Sequence, residues 1–156
     1  MLKTYFLICL LFTSLISSAS NSQTTRIKIT DGQVARIPIA IADFTGPDGT
    51  PTAEGRQISK IISDDLRNSG LFAPVDTAAF INPPSSPDIT PKFDNWSPLG
   101  VEGLIIGSAY FDDENVLQLE FKLWDVVTQK ALTEGGGTAA PAGLRRIAHK
   151  VADFVY

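Results

Sequence analysis

Hydrophobic residues recur with two different periods in this chain, and the switches between them outline the elements. In residues 36–76, Ile37, Ile39 and Ile41 alternate with Pro38, Ala40 and Ala42. Neither set is polar, so the strand they predict is covered on both faces and lies inside a sheet. Pro38 removes one ladder donor, which a strand start tolerates. Thr45-Gly46-Pro47-Asp48-Gly49 is turn chemistry. The period then becomes helical: Ile58, Ile61, Ile62, Leu66 and Ser69 share one face, while Arg56, Lys60, Asp64 and Arg67 lie elsewhere. Thr50 is expected to cap this helix, with Pro51 at its first position and Glu54 favouring its dipole. Gly70 ends it in the left-handed conformation. Residues 71–75 resume as a strand, and a strand–helix–strand unit of this length predicts parallel pairing through a right-handed crossover.

The remaining chain completes one sheet. Residues 82–91 (NPPSSPDITP) hold four prolines and form a surface excursion. Phe93, Trp96 and Leu99, three apart, predict a short helix that plugs the core. Residues 101–109 are almost continuously apolar, a second buried strand. After a polar turn over residues 111–115, Leu117, Leu119, Phe121 and Leu123 alternate with Gln118, Glu120 and Lys122, a half-exposed strand antiparallel to its neighbour. A turn over 125–129 leads to a weaker strand through residues 129–138, loosened by Gly135, Gly136 and Gly137. From residue 141 to 156, Leu144, Ile147, Ala148, Val151, Phe154 and Val155 fall on one helical stripe. That stripe ends without glycine, proline or a polar cap, so a chain cut mid-helix is expected. The fold class is therefore α/β: a small mixed sheet of about five strands flanked by two to three helices.

Ahead of this domain the pattern is different. Lys3 followed by an apolar run over residues 5–15, then Ser17-Ser18-Ala19, is the form of a secretory signal cleaved after Ala19. The run is well short of the roughly 20 residues a membrane span needs, so no span is expected in the mature chain. Residues 20–33 form a polar arm in which Ile27 and Ile29 alternate with Arg26, Lys28 and Thr30 before Asp31-Gly32. Such an arm can pair with its own sheet or give a strand to a partner; a dozen extended residues reach about 40 Å. The organisation expected is a signal peptide at 1–19, a partner-binding arm at 20–33, and an α/β domain at 34–156.

Composition narrows the chemistry. With 44% hydrophobic and 19% charged residues in 156, the chain is an ordinary globular one. Its net charge is −4; without the leader, 12 basic residues face 17 acidic ones. That balance argues against nucleic acid, which requires clustered cations. Cys9, the one cysteine, lies in the leader, and bulky Ile8 before it argues against lipidation. The mature chain therefore has neither a disulfide framework nor a cysteine-based metal or redox motif.

No catalytic constellation emerges. Asp112, Asp113 and Glu114 lack the spacing of a calcium loop and read as a solvated turn. His149, the lone histidine, falls off the apolar stripe with no nucleophile patterned beside it. Asp64 and Asp65 point in different directions on a helix. The glycine run matches no phosphate loop, and the turn before Thr50 is a generic anion site without a cation. Asn95-Trp96-Ser97 fits a glycosylation acceptor by letters, but Trp96 reads as core. No enzyme activity, cofactor or metal is expected.

The residues that carry a resemblance are RIKITDG, IPIAIADFTGP, DDLRNSGLF, NWSPLGVEGLIIG, FKLWDV and LRRIAHKVADFVY, in this order. Together they resemble the N-terminal domain of TolB, the periplasmic component of the Tol–Pal system of Gram-negative bacteria, over essentially all of the mature chain. DDLRNSGLF and WSPLGVEGLIIG are the specific segments. The resemblance implies a non-enzymatic periplasmic scaffold for envelope integrity, division and protein transport. It also implies an arm that switches between packing on its own protein and binding TolA. Carried over, that arm is residues 25–32, with Arg26, Ile27, Lys28, Ile29, Thr30 and Asp31 as contacts. The family's six-bladed propeller, which binds the lipoprotein Pal, has no counterpart here, so a fragment or truncated gene product is expected, and Pal is the partner expected for the family through that propeller. The alternative is an independent periplasmic structural or regulatory domain unrelated to Tol–Pal, since a strand, loop and helix ending L-x-x-S-G-x-F also recurs in envelope lipoproteins.

Overall fold

The computed structural model describes residues 35–156. They build a five-stranded mixed sheet from β1 (Ile37–Ile41), β2 (Phe72–Pro74), β3 (Gly103–Phe111), β4 (Leu117–Asp125) and β5 (Lys130–Ala139), in the order β2-β1-β3-β4-β5. β1 runs parallel to both β2 and β3, while β4 and β5 are antiparallel additions. β1 is thus internal, as its doubly apolar pattern requires. Two α-helices, α1 (Ala53–Asn68) and α2 (Leu144–Asp153), join four 3₁₀ turns among the described residues. None of the described helices is long and apolar enough to cross a membrane.

The pleat sorts the core into two layers. Ile39, Ile41, Ile105, Leu119 and Phe121 face both α-helices, meeting Ile58, Ile62 and Leu66 of α1 and Leu144, Ala148 and Val151 of α2. Ala40, Ala42, Leu104 and Ile106 face the opposite way, against Phe93, Trp96, Val101 and Val126. The expected short helix at 93–99 is two 3₁₀ turns, Phe93–Asn95 and Ser97–Leu99. Side chains three apart eclipse in that geometry, which aims Phe93, Trp96 and Leu99 at one face of the sheet. Trp96 is only 1% exposed and meets Phe80 edge-on at 5.0 Å.

Several expectations shift in detail. Thr50 does not cap α1; Thr52 does, its hydroxyl accepting from the Gly55 N–H at 2.9 Å and donating to the Ala109 carbonyl at 2.7 Å. Thr50 is instead tied to the Asp48 carboxylate, and Pro51 lies outside the helix in a bridge to Thr45. Turn chemistry therefore takes the first threonine and leaves the second to the helix. Gly70 does end α1, at φ +78. β2 covers only Phe72–Pro74, and β3 runs on to Phe111 because it pairs with β4 along its full length. α2 stops at Asp153, and Phe154 is 61% exposed rather than part of the buried stripe.

Candidate interaction site

The residues singled out from sequence as partner contacts, Arg26, Ile27, Lys28, Ile29, Thr30 and Asp31, lie outside the described residues. Within the described domain, an apolar groove of about 630 Å³ lies at the end of the sheet where β1 begins. Ala35 and Ile37 form one wall, with Leu71 and Phe72 beside them. Leu123, Val127 and Leu132 come from the β4–β5 end, and Val155 and Tyr156 close the groove after α2. Ile37, Leu71, Val127, Leu132 and Tyr156 account for five of the eight exposed large hydrophobic side chains among the described residues. A concentration of that kind on one end of a small domain makes this groove the candidate interaction surface among the described residues, which scattered exposed residues would not.

The register explains how separate segments converge there. Ile39 stands opposite Gly103, Gly103 opposite Asp125, and Asp125 opposite Lys130, so one strand start and one hairpin turn share an edge. The turn is pinned by Asp125, whose carboxylate accepts from the Val127 and Thr128 N–H groups, each at 2.8 Å. Hydrogen bonds from Thr128, its backbone N–H first, hold Asp125 below the usual carboxylate range. With its polar groups turned to the backbone, this hairpin projects Val127 into solvent. A valine pair, Val126-Val127, inside a turn sequence is the signal from which the groove could have been found.

The other wall is fastened by Asp65. Its carboxylate lies 2.6 Å from His149 Nδ1, joining α1 to α2, and its backbone carbonyl accepts from the Tyr156 hydroxyl at 3.3 Å. The Tyr156 ring meets Phe72 edge-on at 6.0 Å. Asp64, by contrast, turns to Lys60 and Arg67, so the adjacent carboxylates do point apart. His149 therefore serves a contact between helices that sequence spacing did not indicate. Asp112 also works locally: it accepts from the Glu114 and Val116 N–H groups and from Gln118 Nε2. Among the described residues no group of three or more His, Cys, Asp or Glu could hold a metal ion.

A sequence model described as the TolB amino-terminal domain matches residues 25–132. The chain belongs to this family. TolB-family identity is supported further by the Tol-Pal system protein TolB of Paramagnetospirillum magneticum, 39% identical over 131 residues, which are 84% of this chain and 29% of that protein. The chain thus spans less than a third of that relative's length. Among solved structures, TolB from Acinetobacter baumannii superposes with a TM-score of 0.63 at 20% identity, over 80% of this chain and 28% of that one. Lipoprotein GNA1162 from Neisseria meningitidis gives 0.52 at 11% identity, over 76% of this chain and 95% of that one. Both structural likenesses establish the fold alone.

Proposed function

We propose that this TolB-family chain is a non-enzymatic, periplasmic interaction module of the Tol–Pal system that binds TolA through its N-terminal arm and acts in envelope integrity and constriction during division. The observation that carries the reading is where the family match begins: residue 25 lies inside the arm, so the matched region takes in the RIKITDG segment with β1 to β4 and α1. The organisation that fits is a leader at 1–19, an arm at 20–33 and the α/β domain after it. Pal binding, which belongs to the family's propeller, is not assigned to these residues. The family match favours this reading over a domain unrelated to Tol–Pal.

Deleting residues 24–31 is expected to abolish TolA binding in a pull-down or by calorimetry, while circular dichroism and the thermal transition of the domain stay as they were. Undiminished TolA binding by the deletion variant would refute the assignment.

A further inference from the structure

The two edges of the sheet are treated differently. β2 exposes a short edge of three residues. Leu71 accepts from the Ile37 N–H and Val75 donates to the Ile39 carbonyl, so the residues between them that share this phase face β1. Pro74, one position out of phase, therefore turns its nitrogen to the open side, where it has no N–H to offer. A short edge ending in proline resists strand addition. β5 has neither protection: its ten residues contain no proline and are mostly exposed, and β4 is its one strand partner among the described residues.

We propose that the open edge of β5 is a second docking surface, which receives an extended partner strand alternating cationic and small aliphatic side chains. On the sheet face away from the α-helices, Gly136 leaves a gap that cannot be filled, since a Cβ there would come within 2.6 Å of the Leu119 carbonyl oxygen. Two shallow cavities of about 330 and 310 Å³ meet at Gly136 and Glu120. Asp88, Glu120 and Glu134 line the first; its one cation, Lys122, is already bound to Glu134 at 3.0 Å. A long cationic side chain on an added strand crosses the bare glycine to reach Glu120. On the helix side the environment reverses. Phe121 lies beneath Gly135, Ile147 lies 3.5 Å from where a Gly137 Cβ would be, and Phe154 stands exposed nearby, packed on Phe121 at 5.8 Å. Successive side chains of a strand point to opposite faces, so this edge selects alternating charge and hydrocarbon. Main-chain pairing supplies the affinity and the two faces the specificity.

The test uses the full chain and two capped seven-residue peptides, one alternating lysine with valine and the other glutamate with valine. Fluorescence anisotropy should show the lysine peptide binding at least roughly fivefold tighter, since the carboxylates of Glu120 and Glu134 attract lysine and repel glutamate. Its binding should weaken as salt is raised and should slow amide hydrogen exchange within β5. The double variant Glu120→Gln/Glu134→Gln should lose most of that preference while keeping the wild-type circular dichroism. Equal affinity for the two peptides, no binding, or protection that falls on the groove around Ile37 and Val127 instead of β5 would each overturn the proposal. The peptide comparison needs no variant, so it decides the matter even if the double variant misfolds.

Discussion

Gly55 and Ser59 fix how closely α1 approaches the sheet. A Cβ on Gly55 would overlap the Phe44 carbonyl and crowd the Thr52 hydroxyl, both close to the helix start. Gly55→Ala must therefore push the helix off β1, and overpacking of this kind costs about 1–3 kcal/mol; a Tm lowered by several degrees in a thermal melt is the expected result. One turn later the buried Ser59 hydroxyl accepts from the Phe44 N–H at 3.1 Å and lies 2.9 Å from the carbonyls of Ala42 and Gly55. Its single proton serves one carbonyl at a time. Ser59→Ala leaves the Phe44 N–H buried without a partner, which costs about 1–3 kcal/mol, measurable by urea unfolding with an unchanged m-value.

Between elements, one side-chain hydrogen bond ties the start of α1 to β3. Thr52 satisfies a free N–H of the helix start and bonds the Ala109 carbonyl across the sheet. Thr50, two residues earlier and exposed, bonds only the Asp48 carboxylate with its hydroxyl. Thr52→Ala is expected to cost about 1 kcal/mol or more, and Thr50→Ala less than about 0.5 kcal/mol. Equal losses in paired melts would contradict the cap assignment. The surface excursion is anchored at the same place, because Thr45 donates its hydroxyl to the Ser85 carbonyl at 2.8 Å. The polar link between α1 and α2 is weak. Asp65 and His149 are both partly exposed, and pairs in that setting contribute about 0–1 kcal/mol, so Tyr156 over Phe72 and the buried stripe of α2 carry most of the docking.

At the scale of the molecule, three turns and one face of α1 each hold a carboxylate whose protonation opposes folding. Asp48, Asp64, Asp112 and Asp125 are all held below the ordinary aspartate value of 3.8. The leading causes are the Thr50 backbone N–H for Asp48, Lys60 for Asp64, the Val116 N–H for Asp112 and the Thr128 N–H for Asp125. A carboxylate with a depressed folded pKa binds its proton first in the unfolded chain. Its contribution is therefore complete above the unfolded pKa and is lost as pH falls through the folded one. Stability should hold down to about pH 5 and then decline toward pH 2. Asp112→Asn/Asp125→Asn should flatten that decline in a series of denaturant melts, whereas an unchanged acid limb would show that these two turns do not contribute. The same turns shape the surface: Asp125 fixes the hairpin that exposes Val127, one wall of the end groove.

Much of this architecture was legible in residue order because period is a local property of the backbone. The alternation at 37–41 and 117–123, the 3.6 period of α1 and the left-handed stop at Gly70 are set by geometry that each segment carries itself. So were the turn role of Asp112 and the core role of Trp96. The family could be recognised for the same reason, since the segments that carry the resemblance are continuous in the chain. Other features depended on what lies opposite a residue. Thr52 became the cap because the Ala109 carbonyl and the Gly55 N–H both meet its hydroxyl, and local preference could not separate it from Thr50. His149 met Asp65, 84 positions away in sequence, only because two helices share one face of the sheet. Phe154 left its stripe because α2 ends before it. The end groove and the edge position of β5 among the described residues are properties of strand order, which decides whose side chains converge and which strand lies outermost. Sequence determined the elements and the family; tertiary structure decided the surfaces, because a surface is made by residues that the chain itself keeps apart.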